Sequence, residues 1–234
     1  MRDLLRSLVP WSTTPGFHVA TAPFDVLILA LLVSAVLIAV VDGVDRAVWL
    51  LVLQSVSLAA VALVTAISSG VGEIYLSVVV TLVVKAVLVP LALVRVVRRS
   101  AAAGDAGRMY LGRRNVFILA LALVLFSYGL IQPVAVAGTL ITGLYFPTSV
   151  ALILIGGLTM AVRKKALLQV IGLIVVENGV YTAAMAMTQG LPPVVELGIA
   201  FDLLITVLLL GSLAFHIGAA TESLDTSTLR RLRH

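Results

Sequence analysis

Seven stretches of this chain, residues 23–41, 47–67, 75–94, 115–131, 146–162, 166–187 and 194–217, are almost uniformly apolar. Each is close to the roughly 17–25 residues that an α-helix needs to cross a hydrocarbon core. No soluble fold has interior enough for them: 61% of the 234 residues are hydrophobic and 12% charged, with a mean hydropathy of +1.18, against about 45–50% apolar residues in ordinary soluble domains. Lipid offers backbone amides no hydrogen bonds, so segments of this length and composition must cross as helices. The expected fold is an all-α, polytopic transmembrane helix bundle of about seven spans.

The charges between the runs alternate. Arg46 lies in the first loop; Arg95, Arg98, Arg99, Arg108, Arg113 and Arg114 surround the third; Arg163, Lys164 and Lys165 form the fifth; Arg230, Arg231 and Arg233 close the chain. Together they are thirteen of the sixteen basic residues, while loops two, four and six contain none. Lys and Arg accumulate on the cytoplasmic side, so the N-terminus is expected outside and the C-terminus in the cytoplasm of a bacterial or archaeal inner membrane. The net charge of +5 then reports topology and implies no nucleic-acid partner. The lipid bilayer is the expected surrounding.

The one long polar connection, "RRSAAAGDAGRMYLGRR", residues 98–114, separates three spans (1–97) from the rest. Beyond it come a fourth span with an external loop (115–145), a three-span module (146–219) and a basic cytoplasmic tail (220–234). Pro90 is expected to bend the third span, because proline removes one backbone donor and crowds the preceding turn. Pro147 suits the first turn of the fifth. There is no cysteine, and His18, His216 and His234 lack ligand spacing, so no metal site or redox cofactor is expected in this chain.

Three ionisable side chains fall near mid-depth: Lys85 in span three, Glu177 in span six and Asp202 in span seven. A charge at a helix centre costs about 2.5–3.5 kcal/mol on insertion scales, so its default reading is functional. Two acids and a base at similar depth can relieve one another. Polar neighbours recur at helical spacing: Glu73, Ser77 and Thr81 lead to Lys85 in steps of four, Gln169 lies two turns before Glu177, Asn178 follows it, and Gly198 and Thr206 flank Asp202. Glu177, Asp202 and Lys85 are the candidate proton or ion pathway, with Asn178, Gln169, Thr206 and Thr81 in support. The alternative is that these groups serve only as polar contacts between helices, worth about 0.6–2 kcal/mol each.

The segments "AVRKKALLQVIGLIVVENG" and "ELGIAFDLLITVLLLGSLAFHI" resemble the three-helix K subunit of respiratory complex I and the C subunit of multisubunit cation/proton antiporters: a tight basic turn, a helix with a mid-membrane acid, and another such helix. With the third-span segment "LVVKAVLVPLALVRVVRR", most of the chain resembles the longer hydrogenase-4 component E family of formate-hydrogenlyase-type complexes. That resemblance implies a non-catalytic membrane subunit of an energy-converting [NiFe]-hydrogenase-like oxidoreductase. It implies antiporter-like and quinone-site-like membrane partners and soluble hydrogenase-like subunits, which would carry the [NiFe] centre and iron–sulfur clusters. Of the family's two membrane glutamates, the second matches Asp202, while the first falls on Ile174, three residues before Glu177. A subunit of a multisubunit cation/proton antiporter and a structural membrane scaffold are the alternatives.

Overall fold

The computed structural model describes residues 21–69, 72–100, 109–131 and 145–188. The expected seventh span, with Asp202 and Thr206, and the basic tail lie outside them. All the described elements are helices: α1 (Thr21–Val40), α2 (Val44–Ser69), α3 (Glu73–Val80), a π-helical stretch (Thr81–Leu88), α4 (Val89–Ser100), α5 (Arg113–Ile131), α6 (Tyr145–Val162) and α7 (Ala166–Thr188). α3, the π stretch and α4 run on as one rod.

Among the described residues, five helices are long and apolar enough to cross a membrane: Val44–Ile67, Ile74–Arg95, Arg113–Leu130, Tyr145–Val162 and Leu167–Ala186. A sixth, Phe24–Val40, is apolar but shorter; at 1.5 Å per residue it reaches about 25 Å, a few ångströms less than a typical hydrocarbon core. These elements coincide with the first six apolar runs to within a few residues, except that the third helix continues to Ser100. Their outward faces carry Leu29, Leu53, Leu76, Val79, Leu125 and Phe126, all exposed. α5 is apolar on nearly every side and buries little of itself. Surface of this kind is stable against lipid or a membrane partner and costly against water. The chain is an integral, multi-pass membrane protein.

The interior is close-packed around Leu31, Leu51, Leu58, Ile74, Leu152 and Ile171, each fully buried. Among the described helices α6 and α7 pack most closely, because glycines let their backbones meet. A Cβ on Gly156 would lie 2.7 Å from the Gly172 carbonyl oxygen, and one on Gly179 would lie 2.9 Å from that of Ser149. Lipid chains give helices no hydrophobic reason to associate, so close backbone approach of this sort is a main source of their attraction.

Pro90 acts one turn upstream of itself. Its ring removes a donor and crowds the carbonyl of Ala86, and the helix responds by widening into the π stretch, where the Val89 N–H reaches back to the Val84 carbonyl. Lys85 sits inside that widened turn.

Loops one, three and five meet at one end of the bundle. Asp42 pairs with Arg113, the Tyr110 N–H donates to the Val162 carbonyl at 2.9 Å, and Met109 bridges to Arg163. Gly43, at φ +99°, turns the chain from α1 into α2, a conformation that L side chains resist. Arg163 is the centre of this end. It is fully buried, and its Nη2 donates to the carbonyls of Ile38, Ala39 and Val41 at 3.2, 2.7 and 2.7 Å. These belong to the last turn of α1 and the residues after it, where carbonyls lack partners within the helix and the helix dipole favours a cation. Burial, and then the charge of Arg113, push the Arg163 guanidinium down to about 10, still cationic at neutral pH.

Candidate functional site

Three spans converge on one buried ion pair. Lys85, carried by the π stretch, places its Nζ 3.2 Å from Glu177 Oε1 on α7. The two side chains are 2% and 3% exposed, so lipid and water are both excluded and the attraction acts at low dielectric. The same ammonium donates to Asn178 Oδ1 at 3.1 Å. The Asn178 amide then donates through Nδ2 to Gln54 Oε1 on α2 at 3.1 Å, and Gln54 Nε2 donates to the Leu31 carbonyl on α1 at 3.4 Å. A continuous polar chain therefore runs across the bundle through α7 and α2 to α1.

Each member stands where its helix needs it. Adjacent positions on a helix point about 100° apart, which lets Glu177 and Asn178 flank one ammonium from two directions. Gly179, next in sequence, allows α6 to press against α7 at this depth. Thr182 donates from its hydroxyl to the Asn178 carbonyl at 2.7 Å.

Beside the pair stands Tyr181, one turn beyond Glu177. Its ring centroid is 5.5 Å from Lys85 Nζ, within the range in which a cation feels the negative face of an aromatic ring. Its hydroxyl hydrogen-bonds Ser77 Oγ on α3. Nearer the end of loops two, four and six, Thr65 and Tyr145 hydroxyls pair at 3.2 Å.

Of the residues singled out by sequence, Lys85, Glu177 and Asn178 are in direct contact. Thr81 lies on the same buried side of the third span, 1% exposed. Gln169 is elsewhere: its amide donates to the Arg163 carbonyl at 2.8 Å, so it ties the basic turn to α7. Asp202 and Thr206 lie outside the described residues. Gln54, Tyr181 and Ser77 complete the site. Gln54 was visible only as a lone amide in an apolar run, a feature that more often marks a simple interhelical contact.

A groove of about 440 Å³ opens at the end bearing loops one, three and five, lined by Leu37, Val40, Val41, Asp42, Arg46, Trp49, Leu50 and Arg113. It shares no residue with the ion-pair centre. Among the described residues no three His, Asp or Glu side chains come together as a metal site.

Chemically, the centre offers a cation held between a titratable acceptor, Glu177, and a neutral one, Asn178. A proton delivered to the carboxylate would weaken one contact and leave the other in place, so the ammonium has a second partner to lean on. Such an arrangement suits ion or proton transfer and also suits rigid packing.

Over 203 residues the chain is 28% identical to the uncharacterized protein Rv0085 of Mycobacterium tuberculosis, an alignment that spans 87% of this chain and 92% of that protein. No family model matches the chain, and no solved structure matches it.

Proposed function

We propose that this chain is a membrane subunit of an energy-converting [NiFe]-hydrogenase or formate-hydrogenlyase-like assembly related to complex I, in which Lys85, Glu177 and Asn178 supply one segment of a proton or sodium pathway. The observation that carries the reading is the Lys85–Glu177 contact, buried at mid-span. A buried ion pair is a poor device for stability alone, since apolar residues of similar volume hold helices together as well or better. Charges inside membranes mark ion pathways more often than they mark packing. The hydrogenase-type assignment draws its support from the segments "LVVKAVLVPLALVRVVRR" and "GLIVVENG", which resemble that family and which meet at this pair.

On this reading the chain is no catalyst by itself. Its cysteine-free sequence leaves [NiFe] and iron–sulfur chemistry to soluble partner subunits, and its exposed α5 and polar transverse chain serve antiporter-like and quinone-site-like membrane partners. The assembly would sit in a bacterial cytoplasmic membrane, as the mycobacterial relative suggests, with loops one, three and five in the cytoplasm. The test is purification of the tagged chain from its native membranes. Co-purification of a large subunit with paired nickel-binding cysteine motifs supports the hydrogenase assignment; antiporter subunits without one make the chain an antiporter component; a chain that purifies without partners overturns both. Proton movement per electron in membranes carrying the Glu177→Gln, Asp202→Asn double variant tests the pathway itself, and normal coupling would reduce the pair to interhelical packing.

A further inference from the structure

The Lys85–Glu177 pair divides the bundle into two unlike halves. Towards loops one, three and five its surroundings are apolar and buried: Leu51, Val89, Leu93, Ile171 and Ile174. Among the described residues, Ser34 and Thr159 in that half donate to carbonyls of their own helices, those of Leu31 and Ile155, and are thereby committed to local bonds; Ser55 Oγ on α2, beside Gln54 at the level of the pair, makes no hydrogen bond within the described residues.

The other half is lined with hydroxyls. From Lys85 the third span presents Thr81 and then Ser77 in steps of four, each 1% exposed. Ser77 Oγ bonds the Tyr181 hydroxyl, whose ring lies beside the Lys85 ammonium. Thr81 Oγ1, between Ser77 and Lys85 along the helix, makes no hydrogen bond within the described residues. A valine of the same shape would fill the site without a buried polar atom to satisfy, so packing alone gives no reason for a hydroxyl there. Beyond Ser77, the Thr65–Tyr145 pair stands nearer the end of the bundle.

We infer that Thr81, Ser77 and Tyr181 form a hydroxyl ladder conducting protons between the Lys85–Glu177 pair and the end bearing loops two, four and six, with the opposite half acting as an apolar barrier. The inference rests on the proton-handling reading of the pair. A hydroxyl donates one proton and accepts another. Each oxygen therefore takes up a proton as it passes its own on, and every hydroxyl ends as it began. The proton entering at one end is matched by one delivered to the Glu177 carboxylate, and no further reactant is needed. Rotation of the Thr81 hydroxyl between its neighbours resets the chain.

The test uses the full chain in its complete assembly, in sealed vesicles, with proton uptake followed by a pH-sensitive dye after a pH jump on one face and then on the other. Thr81→Val and Ser77→Ala are expected to slow uptake from the face bearing loops two, four and six by roughly tenfold or more, in keeping with the loss of a positioned proton-transfer group, and to leave the opposite face unchanged. Thr81→Ser, which keeps the hydroxyl, should restore the rate. A Thr81→Ser variant as slow as Thr81→Val would make the loss one of packing and overturn the ladder. If Glu177→Gln blocks uptake while the Thr81 and Ser77 variants behave normally, the ladder falls and the pair's role stands; if Glu177→Gln is itself normal, both fall.

Discussion

Lys85 and Glu177 approach to 3.2 Å although one rides on a π-widened turn and the other on a regular helix four elements later. Pro90 makes the first condition and Gly179 the second: the proline widens the turn that holds the lysine, and the glycine lets α6 close over the helix that holds the acid. The two charges are buried and in direct contact, so their energies should be coupled. Lys85→Met leaves a carboxylate buried without its cation and is expected to destabilise the folded chain by about 3–5 kcal/mol. The double variant Lys85→Met, Glu177→Gln should recover much of that loss, because no charge remains to be buried. The check is a double-mutant cycle on the thermal stability of the detergent-solubilised chain; additive single effects would mean the two are not an energetic unit.

Gln54 links the pair to α2 and α1, and its removal tests whether the polar chain matters as a chain. Gln54→Leu leaves the Asn178 Nδ2 donor without its acceptor, at a cost of about 0.6–2 kcal/mol by the measured worth of interhelical hydrogen bonds. If Asn178 holds Lys85 in place, the same variant should also weaken ion coupling in the assembly while Ser57→Ala, whose hydroxyl bonds the Leu53 carbonyl of its own helix, should not. Equal coupling in both would confine Gln54 to packing.

Six of the seven apolar runs were legible as helices because long apolar segments have one low-energy solution in a membrane, and their ends agree within a few residues; the seventh lies outside the described residues. That Lys85 and Glu177 fall near the middle of their helices was legible by counting along each. Which side chains touch was not, since rotation of one helix against another leaves no local mark in either. Arg163 shows the limit well: it counts correctly as a loop charge, yet it is fully buried and caps α1, a role set by a turn more than a hundred residues away in sequence. Gln169 errs the same way, lying on an expected face but spending its amide on the basic turn. Pro90 announced a bend, though not that the turn before it would widen around the lysine.

Arg163 gives a prediction with a pH sign. Arg163→Gln removes the cation from the end of α1 and should lower thermal stability, with Arg163→Lys intermediate because an ammonium keeps the charge and can donate to the carbonyls that Nη2 alone serves, but from a side chain of different length and shape. Burial lowers the folded-state pKa to about 10, below arginine's ordinary value, so the unfolded chain binds more protons only above about pH 10. The stability difference between wild type and Arg163→Gln should therefore be flat between about pH 6 and 9, and the wild type should gain relative to the variant above that range. A difference that falls away near neutrality would contradict the assignment.

The meeting of loops one, three and five at one end makes the charge asymmetry a prediction about sides. A reporter cysteine at Ala102 should react with an impermeant thiol reagent only from the cytoplasm, and one at Gly190 only from outside. The chain has no cysteine of its own, so the signal has a single origin. Reaction of both from one face would overturn the proposed orientation.

Two neighbouring glycines of α6 provide a matched test of how the α6–α7 pair is held. A Cβ at Gly156 would sit 2.7 Å from the Gly172 carbonyl oxygen and 2.7 Å from the Val176 nitrogen. Both are backbone atoms of α7, so relief requires the helices to move apart, with loss of the contacts that Gly172 and Gly179 make possible. At Gly157 an added Cβ meets nothing within 4 Å. Gly157→Ala should be neutral or should stabilise the helix by about 0.5–1 kcal/mol through backbone entropy. Gly156→Ala is expected to destabilise the chain and, by displacing α7 at Val176, the residue before Glu177, to loosen the Lys85–Glu177 contact. Stability and ion coupling should fall together in Gly156→Ala and stay unchanged in Gly157→Ala. If Gly156→Ala were as stable as Gly157→Ala, the close approach of the two helices would not be the source of their association.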